Sequence, residues 1–122
     1  VLDRYGDEGV STDYNIRVTN SGSGNRYNYG GTEQYTFNLV RGVTYRFLQS
    51  DATNNNHPLR FSITSNGTHA SGTEYLTGVT YNGTAGTAGA YVEIIVPADA
   101  PGNLYYYCKN HSGMGGVINI TG

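Results

Sequence analysis

Apolar and polar residues alternate along most of this chain, in short runs interrupted by polar stretches. Alternation with a period of two places successive side chains on opposite faces of a strand, so each run predicts a strand with one buried face. The clearest runs are Tyr14, Ile16 and Val18; Tyr35, Phe37 and Leu39; Val43, Tyr45 and Phe47; Leu59, Phe61 and Ile63; and the segments AYVEIIVP, NLYYYC and GVINIT. Seven or eight short strands are therefore expected.

The segments between these runs favour turns over helices. Glycine occurs 18 times in 122 residues, and Asn, Ser and Thr fill much of the remainder, without the periodicity of an amphipathic helix. The pair Arg41–Gly42 and the segment PADAPGN from position 97 predict turns. The fold class is therefore predicted to be all-β, with two sheets that bury their apolar faces against each other in a sandwich.

Two polar stretches are predicted to be loops. The segment NSGSGNRYNYGG, residues 20–31, is the first, and the interval 65–89 is a longer excursion with one short strand near Tyr75 to Thr80. No internal repeat or linker divides the chain. We therefore expect a single domain covering residues 1–122.

Composition disfavours several classes of function. The formal net charge is −2 and no basic run is present, which argues against nucleic-acid binding. No stretch approaches the roughly 18 to 20 apolar residues of a membrane span, and the first residues, VLDRYGDEGV, are too charged for a signal peptide. A Ser/His/Asp set or paired carboxylates placed for hydrolysis are not evident either, so we expect no enzymatic activity.

The only cysteine and the only methionine lie close together, with a histidine between them. Cys108, His111 and Met114 form a CxxHxxM pattern directly after a predicted strand, in a glycine-rich segment that can curve around one point. Thiolate and thioether sulfur favour copper(I), imidazole suits both oxidation states of copper, and a second histidine would complete a His₂Cys set with a weak axial methionine. Zinc is the rival metal, but it prefers a fourth hard or thiolate donor.

Two histidines are candidates for the missing ligand. His57 directly precedes a predicted core strand, where its position would be rigid, whereas His69 lies in a polar loop with nothing evident to fix its direction. His57 is therefore the predicted ligand, and His69 is expected to be a solvent-exposed side chain.

With His57 included, the segments NHPLRF and YYYCKNHSGMGG resemble the cupredoxins, the small blue-copper proteins, over nearly the whole chain. The CxxHxxM spacing is similar to that of the amicyanin branch. The resemblance implies a Greek-key β-sandwich that holds one type 1 copper ion through His57, Cys108, His111 and Met114. It also implies a monomeric electron carrier, periplasmic or extracellular, that exchanges single electrons with a redox partner protein.

Some features leave alternatives open. Many cupredoxins have an asparagine after the first histidine that braces the cysteine loop, whereas here Pro58 occupies that position and Asn56 is a candidate for the bracing. The chain also resembles cupredoxin-like modules of marine microbial and phage surface proteins. A structural or copper-binding module of a larger surface or virion protein is therefore the alternative function.

Strand alternation also assigns directions to the tyrosines before the cysteine. If Cys108 points inward, Leu104 and Tyr106 share its face, while Tyr105 and Tyr107 point away. Tyr107 is therefore expected on the outside. It would either cover the outer face of the sheet or, as proposed for the equivalent tyrosine of some cupredoxins, carry electrons to the surface.

Overall fold

The computed structural model describes residues 11–122, and the segment VLDRYGDEGV, on which the prediction about a signal peptide rests, lies outside them. The described residues form strands and two short 3-10 helices, Ala52–Asn54 and Gly67–Ala70, which confirms the all-β prediction. The strands are β1 (Thr12–Asn15), β2 (Arg17–Thr19), β3 (Arg26–Tyr29), β4 (Thr32–Glu33), β5 (Phe37–Val40), β6 (Thr44–Leu48), β7 (Leu59–Ser62), β8 (Val79–Asn82), β9 (Tyr91–Ile95), β10 (Asn103–Cys108) and β11 (Gly116–Thr121).

Two four-stranded sheets form a sandwich-like arrangement. The first has the strand order β1-β6-β9-β8 and the second has the order β5-β11-β10-β7. Within them, β1 pairs with β6 and β5 pairs with β11 in parallel, whereas the other neighbours are antiparallel. These sheets contain eight strands, and three further strands form a small sheet of order β2-β3-β4, so residues 11–122 hold more strands than the seven or eight predicted.

The core lies between the two large sheets and is built from the alternating apolar positions. Phe47 and Ile94 from the first sheet and Phe61 and Leu104 from the second are each completely buried. Burial of one such side chain contributes about 1.5 to 3 kcal/mol, so the inward residues of both sheets supply the main driving force for this arrangement. Ile63 departs from the predicted pattern: it lies beyond the end of β7 and is 62% exposed.

The small sheet corrects two sequence-based predictions. Residues 26–29, expected to lie in a loop, form β3, because Tyr27 is almost fully buried and its strand pairs with β2 and β4. The predicted strand through residues 14–18 is divided at Ile16 between β1 and β2, which belong to different sheets. After β1, the chain therefore leaves the two large sheets and forms a small third sheet.

The predicted long excursion of residues 65–89 is confirmed, although its strand begins later than expected. That strand, β8, covers residues 79–82 and pairs with the edge of the first sheet. The earlier part of the excursion, with the 3-10 helix Gly67–Ala70, packs against β7 and β10. In residues 11–122, no helix has the length and apolar character needed to cross a bilayer.

Candidate metal centre

His57 and Cys108 are neighbours because β7 and β10 pair in antiparallel register. Cys108, the last residue of β10, lies opposite Leu59, the first residue of β7. The backbone N–H of Lys109 donates to the carbonyl of Pro58 at 3.0 Å, which extends the ladder beyond both strands. Two residues 51 positions apart in the sequence therefore meet at one end of the second sheet.

The side chains of His57, Cys108 and His111 converge on one point. Cys108 Sγ lies 3.6 Å from Nδ1 of His57 and 3.6 Å from Nδ1 of His111. One ligand atom from each of the three residues lies within 4.8 Å of the other two. The structure thus brings together three of the four ligands predicted from the sequence, in a group that could hold a metal ion.

These distances fit a shared ion. An ion bound at about 2.3 Å from sulfur and about 2.0 Å from nitrogen, as zinc is, separates the two donors by roughly 3.5 to 3.7 Å when its bond angles are trigonal to tetrahedral. The observed 3.6 Å separations fall within that range. One thiolate and two imidazoles form a donor set that suits copper or zinc.

The three side chains differ in exposure. Cys108 is fully buried and His57 is 8% exposed, whereas His111 is exposed to solvent. Burial is the main cause that lowers the pKa of His57 below its usual value, and the nearby His111 lowers this pKa further. Because a metal binds the neutral imidazole, this environment keeps a lone pair of His57 available at neutral pH.

Met114 lies in the core, and only 1% of its surface is exposed. Its carbonyl accepts a hydrogen bond of 3.0 Å from the backbone N–H of Tyr27, which attaches this end of the ligand loop to β3. His111 and Met114 also border the same shallow surface pocket. The role of Met114 as fourth ligand remains a prediction.

A buried hydrogen-bond network fixes the backbone of His57. The carbonyl of His57 accepts hydrogen bonds from the Tyr27 hydroxyl at 2.6 Å and from the Gln49 side-chain amide at 2.8 Å. Gln49 also accepts from the N–H of Leu59 at 3.0 Å and donates to Asn54, which in turn donates to the carbonyl of Ile16. The N–H of His57 donates to the carbonyl of Asn54 at 2.8 Å, so both sides of the His57 backbone are held by buried residues.

The ligand loop between Cys108 and Met114 is held by one of its own side chains and by two side chains from elsewhere. Asn110 donates to the carbonyl of Asn56 at 3.1 Å. The loop therefore contacts the residue predicted to brace it, but it does so through the backbone of Asn56 and not through its side chain.

The glycines at the end of the loop are held by two further side chains. Gln34 donates to the carbonyls of Gly113 and Gly115, and the Asn66 side chain accepts from the N–H of Gly113 at 2.9 Å. Gly113 has φ = 79°, a conformation that glycine adopts without strain.

Tyr107 lies on the opposite face of β10 from Cys108, as alternation predicted, but the expectation that it reaches the surface is wrong. Only 1% of Tyr107 is exposed. The excursion of residues 65–72 covers its ring, and a Cβ atom at Gly67 would overlap that ring. The backbone of the covering segment approaches so closely that only glycine fits there.

His69 is exposed, as predicted, but its direction is fixed. Its Nε2 lies 2.7 Å from the carbonyl oxygen of Cys108, and its ring meets that of Tyr107 edge to face with the centroids 6.1 Å apart. His69 does not belong to the group of converging ligand atoms. The structure therefore places His57, and not His69, in the group that could hold a metal ion, and it gives His69 a contact that the sequence did not reveal.

Sequence reasoning missed the residues that support the site. Tyr27, Gln49 and Asn54 are far from the ligand motif, and no spacing links them to it. Gln49 was the one indication available in the sequence, because it is a polar residue at the end of an alternating apolar run. Its hydrogen-bond partners depend on tertiary contacts, so the sequence could not identify them.

No family model matches the chain, and no curated protein matches it.

Proposed function

We propose that this chain is a cupredoxin-like protein that holds one copper ion and carries single electrons between redox partners. The observation that carries the proposal is the convergence of Cys108 Sγ with Nδ1 of His57 and of His111 at 3.6 Å. Met114, six positions after the cysteine, is the proposed fourth ligand. A thioether is a soft donor that copper accepts and zinc seldom uses, which favours copper.

Bound in this group, copper would supply a reversible one-electron couple between its +1 and +2 states. The contribution of the chain is to hold the ligands in one arrangement for both states. The network of Tyr27 and Gln49 fixes His57, and the pairing of β7 with β10 fixes Cys108. A support that changes little between the two states keeps the cost of reorganisation low, which is what an electron carrier needs.

The exposure of the site agrees with this proposal. His111 is exposed while Cys108 and His57 are buried, so one ligand ring reaches the surface and the thiolate is protected from water. Electron exchange with a partner protein requires a short path from the ion to the surface, and the His111 ring offers one. A carrier of this type has no substrate pocket and catalyses no bond rearrangement, and we place it in the periplasm or outside the cell.

Addition of one equivalent of copper(II) to the purified protein tests the proposal. We expect an intense blue or green colour from the thiolate–copper bond, which a reductant bleaches and an oxidant restores. The matched control is Cys108→Ser, which nearly preserves the volume of the side chain and should fold but remain colourless. A colourless wild-type protein would overturn the electron-carrier proposal.

Voltammetry separates the carrier from the structural alternative, because any metal that binds only the folded protein raises its thermal stability in both cases. An electron carrier loaded with copper would show a reversible one-electron wave. A module that uses the metal only to support its fold would gain thermal stability without such a wave.

A further inference from the structure

The peptide unit that joins Cys108 to Lys109 is held from both sides. Its carbonyl oxygen lies 2.7 Å from Nε2 of His69, and its N–H donates to the carbonyl of Pro58 at 3.0 Å. Pro58 directly follows the candidate ligand His57. This peptide unit is also the point at which β10 ends and the ligand loop begins, so its orientation sets the direction in which the chain continues towards His111.

The His69 contact has a defined chemistry. A carbonyl oxygen only accepts hydrogen bonds, so Nε2 of His69 carries the hydrogen and donates it to Cys108. The ring of Tyr107 lies edge to face with the imidazole, and Gly67 lets the 3-10 helix that carries His69 lie directly on Tyr107. The imidazole is therefore oriented by packing, although it is exposed to solvent.

We propose that His69 is a positioning residue for the metal centre, which fixes the Cys108 carbonyl and thereby the path of the ligand loop. The inference rests on the proposed copper function, because positioning matters only if Cys108 and His111 bind one ion. Without the donor, the peptide unit would keep only the hydrogen bond from its N–H to the carbonyl of Pro58. The carbonyl of Cys108 could then change its orientation. The distance between Cys108 and His111 would then vary more.

A pair of substitutions at this position separates hydrogen bonding from packing. His69→Gln places an amide nitrogen the same number of bonds from Cβ as Nε2, so it keeps the donor and loses the ring. His69→Phe keeps a ring against Tyr107 and loses the donor. Both variants should fold, because the side chain is exposed and lies outside the core.

The first readout uses the metal-free protein. We expect nitrogen NMR of the wild-type protein to show that Nε2 of His69 carries a hydrogen. Amide hydrogen exchange at Lys109, whose N–H bonds to Pro58, should be as slow in His69→Gln as in wild type and clearly faster in His69→Phe.

The second readout uses the copper-loaded protein. Removal of a group that supports a metal ligand from outside typically costs about tenfold or more in metal affinity. We therefore expect His69→Phe to lose copper to a competing chelator about tenfold more readily than wild type and to show a shifted visible band. His69→Gln should restore both properties.

The opposite order, with His69→Phe close to wild type and His69→Gln impaired, would overturn the proposal and assign His69 a packing role. Equal amide exchange at Lys109 and equal loss of copper in the wild type and both variants would overturn it as well. Failure of the proposed function has a different outcome: the wild-type protein itself remains colourless with copper. In that case Lys109 exchange in the metal-free protein still decides whether His69 holds the peptide unit.

Discussion

Three histidines of one chain have three different surroundings, and these surroundings decide what each can do. His57 is buried two residues before β7, where burial lowers its pKa and favours the neutral imidazole. His111 is exposed but points Nδ1 at the same sulfur atom. His69 is also exposed, and its Nε2 contacts a backbone oxygen. Only the first two can therefore share an ion with Cys108.

Met114 provides a test at the same scale. We expect Met114→Leu to retain copper and its colour but to raise the reduction potential, because replacing a thioether donor with an apolar group disfavours the more highly charged copper(II). The shift should be tens of millivolts, where about 60 mV is a tenfold change in a one-electron equilibrium. Voltammetry measures it.

The substitution should leave the fold intact, because exchange of Met for Leu in a core usually costs less than about 1.5 kcal/mol. An unchanged potential would show that Met114 is not a ligand of the copper ion.

At the scale of elements, the site depends on how strand ends are joined. Gln49 directly follows β6 in the first sheet, and its side chain bonds to His57 and Leu59 at the beginning of β7 in the second sheet. It is 2% exposed, so neither water nor another donor readily replaces it. This single amide links the two sheets at the end where the candidate ligands converge.

We expect Gln49→Leu to destabilise the metal-free protein by about 1 to 3 kcal/mol, the cost of leaving a buried polar group without its partner. The N–H of Leu59 loses its acceptor, while the carbonyl of His57 keeps the hydroxyl of Tyr27. Urea unfolding measures the change in the free energy of unfolding.

Gln34→Leu is the matched control. Gln34 also bonds to backbone carbonyls at the site, those of Gly113 and Gly115, but it is exposed. Water can satisfy those carbonyls after the substitution, so the loss should stay near the net value of a hydrogen bond, about 0.5 to 1.5 kcal/mol. Equal losses for the two variants would contradict the role of burial at Gln49.

At the scale of the whole molecule, tyrosine supplies much of the core. Tyr27, Tyr106 and Tyr107 are each 1% exposed. The hydroxyl of Tyr27 donates to the carbonyl of His57, and that of Tyr106 donates to the carbonyl of Tyr35. Burial is the main cause that raises the pKa of Tyr27 and of Tyr106 above the usual value near 10.

These shifts predict a loss of stability in alkali. Above pH 10 or so, the unfolded chain releases tyrosine protons that the folded protein keeps, so the free energy of unfolding falls as the pH rises. Each such tyrosine contributes a slope of about 1.4 kcal/mol per pH unit once the pH exceeds the unfolded pKa. Urea unfolding of the metal-free protein between pH 8 and 11 measures the slope.

Tyr106→Phe removes one titrating group. In alkali, the free energy of unfolding of this variant should therefore fall less steeply with pH, by about 1.4 kcal/mol per pH unit. The variant should also lose some stability at pH 8, because the bond to the carbonyl of Tyr35 is gone. The same slope in both proteins would mean that Tyr106 ionises as readily when folded as when unfolded.

Much of the fold followed from local patterns, and the misses have a common cause. The alternating runs around Phe47, Phe61 and Leu104 become core strands. Their alternation can be read from the sequence because the backbone geometry of a strand places successive side chains on opposite faces. The missed strand β3 lies in a polar segment that holds few apolar residues, and pairing with its neighbours decides its conformation. Tyr107 was misjudged because its cover comes from the distant 65–72 segment.

The sequence by itself determined the all-β class and which side chains converge at the candidate metal site. Apolar alternation and the order of His57, Cys108 and His111 are properties of the chain that need no knowledge of distant contacts. Only the tertiary structure decided how the site is supported. Hydrogen bonds from Gln49 and His69 depend on which segments lie next to each other in space, and no local pattern in the sequence encodes that proximity.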